Sequence, residues 1–582
     1  MTTFATAVAQ TLAGCGIDHA FGLVGGGNIL ATAALTRAGV HYTAARHEGG
    51  AMAMADACFR ATGRVAVCTT THGPGLANTA TALAEAAKNR SAVVLLCGDA
   101  PVAGPRAHDI DQSALAASLG VPVIRPTDPD TAVEDTVRAV RTATADQCPV
   151  ALFLPGDLTD RELSAVPVAS PRARAEADRT DEILTLPAGD PTDREPSPVS
   201  VPVAPPQAHS EESAEADRTD EILTLLSAAR RPLLLAGLGA WRSGAAKILT
   251  DLGDRLGALL ATTVMANGMF AAHPAALGLC GGFASPPAAA LMGEADLVLA
   301  FGTGLGDFTL HGGRILDPAA RVVQITLEGA RAPRADLAVR GDAAAVATRL
   351  LDAADAHGIA RSPWRERAAA SGALRRAADG WAALPHPDAS GGGRIDPRTL
   401  TRALAPLLPA ERTVVLDGGH FIGWPAMYWP VPDPAGLVFT GAAFQSIGLG
   451  LAGAVGAAVG RPDRTTVAAV GDGGALMGLP ELETLVRSGR SALVVVYDDA
   501  AYGFEEHMYV PRGADAATLR FDDTDFAAVA RAFGAQAVTV RDTGDLSAVP
   551  EWTARGAEGT LLLDCKVSRG VLAPFLSDLL GR

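Results

Sequence analysis

Cysteine is sparse and unclustered in this 582-residue sequence: seven residues, at 15, 58, 68, 97, 148, 280 and 565, with no Cys-x-x-Cys pair. That pattern excludes a zinc ribbon and a disulfide framework, and it fits a reducing cytosol. Aromatic residues make up only 5% of the chain against 48% apolar residues and 63 glycines, so small aliphatic side chains must build the interior. Lys and Arg number 48 against 64 Asp and Glu, a formal net charge of −16, and they form no basic run. Phosphate backbones demand clustered cations, so no nucleic-acid partner is expected. No apolar run reaches 18 residues, and the start, MTTFATAVAQTLAGCG, lacks the basic opening of a signal peptide. A cytoplasmic protein with no membrane association is the expectation.

What the chain has instead is a recurrence of short apolar runs, among them RVAVCTT, AVVLLCG, PVALFLP, RPLLLAG, DLVLAFG, RTTVAAVGDG and SALVVVYDD, separated by Ala-rich stretches. Continuously apolar strands alternating with helices predict parallel sheets covered on both faces. The chain is too long for one core. Composition shifts place three doubly wound α/β domains at 1–165, 226–358 and 396–582, with linking segments at 166–225 and 359–395. The first link holds a local duplication: AEADRTDEILTL occurs at 175–186 and again at 214–225, around a Pro-rich filler. One repeat pair makes no solenoid, so a loose surface insert is expected, with the second copy leading into the central domain.

The stretch LVVVYDDAAYG, residues 493–503, ends an apolar strand on two carboxylates, Asp498 and Asp499. A solvated turn is the plain reading. Upstream, however, Gly471-Asp472-Gly473 ends another such strand, and Asp472 to Asp499 spans 27 residues, about one strand–helix–strand crossover. Doubly wound sheets bind ligands at the carboxyl ends of their strands. Glycines there let backbone N–H groups approach a phosphate, and hard oxygen ligands beside a diphosphate select Mg²⁺.

With those motifs in view, the chain resembles the thiamine-diphosphate-dependent enzymes of the acetolactate synthase and pyruvate decarboxylase superfamily, over nearly its whole length outside the insert. The resemblance implies a pyrimidine-binding first domain, a central domain and a diphosphate-binding third domain. It makes Asp472, Asp499 and the backbone carbonyl of Ala501 the Mg²⁺ ligands, with Asp-Asp standing where the family has Asn-Asn. Asp498 then caps the turn. FGLVGGGN (21–28), YTAARHEGGAMAMADACFRATG (42–63) and CTTTHGPGLAN (68–78) follow the family's order, which makes Glu48 the catalytic glutamate of Arg-His-Glu, buried and largely protonated. Gly25, Asn78, Gly474 and Tyr502 join Gly471, Asp472 and Gly473 as cofactor-contacting residues. DGGHFIGWPA adds Gly419 and His420, with a simple turn as the competing reading, and Ile447 falls where a bulky residue underlies the bent cofactor.

The implied chemistry is decarboxylation of a 2-oxo acid such as pyruvate, followed by transfer of the acyl anion to a second carbonyl compound. The determinants at the reacting end are mixed. Gly26 replaces the acid of the decarboxylase type, and only His108 stands for its His-His pair. Gln112 matches the glutamine of the synthase type, while Glu505 sits where the decarboxylase type keeps a glutamate, or is a salt-bridged surface residue. His72 and Gln112 read equally as active-site lining or structural polar groups. A carboligase is the leading reading; a non-ligating decarboxylase and a silent cofactor-binding paralogue are the alternatives. GTGLGDFTLHGG lies where the synthases contact flavin but lacks their basic pattern, so FAD has a place but is not expected. The resemblance further implies a homodimer or homotetramer, with the active site across an interface.

Overall fold

The computed structural model describes residues 2–164, 212–327 and 331–579. Eighteen strands form three six-stranded sheets, and every pairing between them is parallel. The first takes β1 (His19–Gly22), β2 (His41–Ala44), β3 (Ala66–Thr70), β4 (Val93–Asp99), β5 (Val123–Ile124) and β6 (Val150–Pro155), in the order β2-β1-β3-β4-β6-β5. The central sheet takes β7 (Pro232–Ala236), β8 (Leu259–Thr262), β9 (Ala276–Leu279), β10 (Leu297–Phe301), β11 (Arg321–Thr326) and β12 (Leu337–Arg340), ordered β12-β11-β10-β7-β8-β9. The third takes β13 (Arg412–Leu416), β14 (Leu437–Phe439), β15 (Thr465–Gly471), β16 (Ala492–Asp498), β17 (Gln536–Val540) and β18 (Thr560–Lys566), ordered β14-β13-β15-β16-β18-β17.

The first and third sheets therefore share one topology. Each reverses direction beside its second-listed strand, and there the loops after neighbouring strands splay apart. The reversal falls between β1 and β3, between β7 and β10, and between β13 and β15. β4, β16 and β18 are buried at every residue, as sheets covered on both faces require.

Two helices weld the outer domains together. Glu48–Thr62 packs along Gly450–Gly460, and all eleven residues of the latter are buried. Glycine makes this approach possible: a Cβ on Gly456 would lie 2.1 Å from the Met54 carbonyl oxygen, and one on Gly460 would lie 2.9 Å from Cys58 Sγ. All seven cysteines are free thiols. Among the described residues no helix is long and apolar enough to cross a membrane.

The domain limits differ from those expected at two places. Helix Glu212–Ala228 crosses the expected limit at 225, and its Ile222, Leu223 and Leu226 sit in the central core. The second repeat copy thus belongs to a packed helix, because its apolar residues recur at helical spacing. The first copy lies outside the described residues. Likewise the expected 359–395 link carries helices Trp364–Ala370 and Ala373–Asp379, whose Trp364, Ala368, Leu374 and Ala377 pack into the central core.

Candidate active site

A cavity of about 720 Å³ opens where the central and third domains meet. Its floor is the reversal point of the third sheet, with Gly418, Gly419 and His420 after β13 and Gly471 to Gly474 after β15. The central sheet contributes from its own reversal point, through Leu238 after β7 and Gly302, Thr303 and Gly304 after β10.

Strand register brings the acidic groups together. Gly471 pairs with Tyr497 across β15 and β16, so Asp472 and the Asp498–Asp499 pair leave adjacent strands at one level. Asp472 and Asp499 both line the cavity, and the Ala501 N–H donates to Asp472 Oδ2 at 3.3 Å and to Asp499 Oδ1 at 3.1 Å. Burial, then the neighbouring carboxylates Asp499 and Asp498, push the Asp472 carboxyl well above the usual range. Burial also raises Asp499, against the opposing pull of Arg569. Two enclosed carboxylates that repel each other are a hard-oxygen donor set of the kind Mg²⁺ satisfies. Ala500, directly after Asp499, takes a left-handed φ of 54°.

Asp498 has a different fate. It pairs with Lys566 on the neighbouring strand, Nζ to Oδ2 at 2.5 Å, and its Oδ1 accepts the Ala500 N–H at 3.0 Å. Lys566 also contacts Asp564 at 3.0 Å and donates to the Thr524 carbonyl at 2.6 Å. Behind Asp499, Arg569 Nε donates to its backbone oxygen at 2.9 Å. Neither cation was singled out from the sequence. The available signal was Lys566 ending a largely apolar strand, TLLLDCK, every residue of which is buried.

Other expected residues also line the cavity: Gly419, His420, Ile447, Gly473, Gly474 and Tyr502. A Cβ on Gly473 would lie 2.7 Å from the Tyr502 ring, and one on Gly474 would lie 2.7 Å from Asp417 Oδ2, so glycine is needed at both. Asp417, the unremarked first residue of DGGHF, is fully buried and accepts the N–H groups of Gly418 and Gly448, tying the two loops together. Burial lifts its carboxyl to about 6. His420 Nε2 accepts the Ala573 N–H at 2.9 Å, and burial, reinforced by His507, drops its pKa to about 3. His420 is therefore a neutral imidazole. Ile447 is 36% exposed into the cavity.

Of the two neighbouring glutamates, Glu506 is the ion-paired one, held by Arg520, while Glu505 lines the cavity.

Five expected residues sit elsewhere, on the carboxyl edge of the first sheet: Gly25, Glu48, His72, Asn78 and Gln112. Glu48 opens its helix, is buried, and accepts a hydrogen bond from Asn78 Nδ2 at 2.9 Å. The chain just before it is braced from the third domain, where Glu481 Oε1 accepts the N–H groups of Arg46 and His47 at 3.0 and 2.9 Å. Asn28 folds the Gly25 loop by accepting the Gly25 N–H at 2.8 Å. Gln112 has the bonding of a structural polar group, one of its two expected readings. Its amide is consumed by Gly73 N–H, the Gly98 carbonyl and Asp99 Oδ1, so it braces the Gly73 turn against the end of β4 and has no hydrogen left for a reactant. His72 and His108, far apart in sequence, bring their rings to 5.6 Å. With Asp109 they form a close cluster, but Arg106 takes both Asp109 oxygens, at 2.8 and 2.9 Å. Burial, then Arg106, holds His72 below its ordinary pKa.

Three doubly wound domains with glycine loops at the reversal points define an enzyme that holds a diphosphate-bearing cofactor. The chain belongs to the thiamine-diphosphate-dependent enzymes of the acetolactate synthase and pyruvate decarboxylase superfamily. Its residues 2–117 match the thiamine pyrophosphate enzyme N-terminal TPP binding domain, 219–350 the central domain, and 417–565 the C-terminal TPP binding domain. It is 26% identical to a sulfoacetaldehyde acetyltransferase of Alcaligenes xylosoxydans xylosoxydans, over 99% of this chain and 95% of that protein. It is 28% identical to an acetolactate synthase large subunit of Parasynechococcus marenigrum, over 92% and 83%, and 26% identical to a probable acetolactate synthase large subunit of Methanocaldococcus jannaschii, over 92% and 86%.

Proposed function

We propose that this chain is a thiamine-diphosphate-dependent carboligase that decarboxylates a 2-oxo acid and joins the remaining acyl group to a second carbonyl compound. The observation that carries this reading is the lining of the cavity, where Asp472, Asp499 and glycine loops stand together with apolar and aromatic side chains. Asp472 and Asp499 would hold Mg²⁺, and the loops at Gly418–His420 and Gly471–Gly474 would hold the diphosphate. When bound, the cofactor supplies the electron sink for loss of carbon dioxide. Glu48 would orient its pyrimidine ring, and Ile447 would support its bend. Glu505 would deliver or hold a proton at the carbonyl oxygen of the acceptor. Relatives whose names denote an acetyl transfer and an acetolactate synthesis support a reaction that moves an acyl group.

The positions of the groups support an assembly of two copies. Glu48 is on the first domain's edge, while the cavity is lined by the central and third domains. Val24, Ile29 and Leu30 are exposed beside that edge, and Phe444, Leu476 and Met477 are exposed beside the cavity. Apolar groups so placed fit a second copy that sets its Glu48 edge over this cavity, in a homodimer or homotetramer.

A non-ligating decarboxylase is the second reading, favoured by the His72–His108 pair. Incubating the enzyme, Mg²⁺ and thiamine diphosphate with a panel of 2-oxo acids, with and without aldehydes, separates the two. Carbon dioxide with a 2-hydroxy ketone is the expected result. Free aldehyde throughout selects the decarboxylase, and no carbon dioxide from any acid selects a silent paralogue.

A further inference from the structure

The apolar end of the cavity carries information about the second substrate. Phe283, Phe308 and Phe575 meet edge to face there, with ring centroids 4.8, 5.4 and 6.4 Å apart, and all three line the cavity. Phe308 is built into position. Gly281 takes a φ of 93° in a space where a Cβ would meet the Phe308 carbonyl, and a Cβ on Gly282 would lie 2.8 Å from the Phe308 ring. The ring is nonetheless 42% exposed, an apolar surface presented to an occupant.

Charge sharpens the reading. The acidic side chains in the lining are Asp472, Asp499 and Glu505, and the described lining contains neither arginine nor lysine. On the edge that the proposed assembly sets over the cavity, Arg46, Arg106 and Arg125 are each committed to a carboxylate, of Glu483, Asp109 and Asp99 respectively. An acceptor with a carboxylate or sulfonate would shed its hydration beside aromatic rings and a glutamate without gaining a cation. The donor escapes this difficulty, since its carboxylate leaves as carbon dioxide.

We infer that the acceptor is an uncharged, apolar aldehyde, and that Phe283, Phe308 and Phe575 form the wall that binds it. The inference rests on the carboligase reading. The balanced conversion is R–CO–COO⁻ + R′–CHO + H⁺ → R–CO–CH(OH)–R′ + CO₂. The bond to the carboxylate carbon breaks, a carbon–carbon bond to the aldehyde carbon forms, and the proton goes to the aldehyde oxygen.

The test is a competition on the loaded enzyme, with pyruvate as donor and equimolar benzaldehyde and 2-oxobutyrate as acceptors, products being read by NMR. The 2-hydroxy ketone from benzaldehyde is expected to exceed the acid product by about tenfold or more, and Phe308→Ala to shrink that ratio by about tenfold, the range for contacts in an apolar pocket. Saturation-transfer NMR without donor, which needs no turnover, should report benzaldehyde bound in preference to 2-oxobutyrate. Preferential formation of the acid product would overturn the inference and leave the carboligase reading standing. Carbon dioxide with no ligated product from either acceptor would overturn the carboligase reading. The binding measurement would then decide the wall by itself, and preference for the oxo acid would refute it.

Discussion

Asp498 and Asp499 are adjacent in sequence but have opposite environments. Asp499 faces the cavity with Asp472, whereas Asp498 is spent on Lys566. Asp499→Asn is therefore expected to keep activity within about tenfold, roughly 1.4 kcal/mol of barrier. Asp472→Ala is expected to lose Mg²⁺ and thiamine diphosphate together, as measured by calorimetric titration. Equal damage from both would refute this division of roles. Lys566→Met would leave Asp498 and Asp564 as buried, uncompensated charges, at about 3–5 kcal/mol of stability. Adding Asp498→Asn should recover part of that loss in thermal unfolding, because one of the stranded charges is gone. His420 sets a pH dependence. Its folded pKa is about 3 and its unfolded value about 6.5, so between these the unfolded chain binds the extra proton and stability falls as pH falls. The cofactor-free protein should lose about 2 kcal/mol from this group by pH 5, and His420→Gln should flatten that slope in a melting series.

The short helix Gly503–Tyr509 sorts two glutamates that sequence alone leaves equivalent. Glu505 turns to the cavity and Glu506 to Arg520. Glu505→Gln is expected to cut turnover by about a hundredfold, the usual range for a proton-transferring group. Glu506→Gln should act mainly on stability, seen in the melting temperature. Comparable turnover losses in both variants would remove Glu505 from the mechanism. The legible elements were the apolar strands, because strands covered on both faces must be continuously apolar. Helix Glu212–Ala228 was less legible, since much of its sequence is one copy of a duplication, although its Ile222, Leu223 and Leu226 sit in the central core.

For the whole molecule, the decisive question is whether Glu48 and Asp472 of one site come from different chains. Light scattering is expected to show a dimer or tetramer, and an active monodisperse monomer would refute the assembly. Glu48→Gln and Asp472→Ala chains should each be inactive alone. Mixed by unfolding and refolding, they should regain about a quarter of wild-type activity, because half the molecules pair unlike chains and each of those holds one intact site. A site built within one chain would regain none.

The sequence by itself determined the three-domain α/β order, the strands and the family. Those follow from local apolar runs and from glycine and acidic motifs whose spacing is fixed along the chain. It also placed Asp472 and Asp499 together, since one crossover separates them. Tertiary structure alone decided that Gln112 is a brace, that Lys566 neutralises Asp498, that Asp417 ties two loops and that His72 meets His108. Each of those depends on where a side chain points across a gap of tens of residues. Such directions are set by strand register and loop packing, and no local pattern in the sequence encodes them.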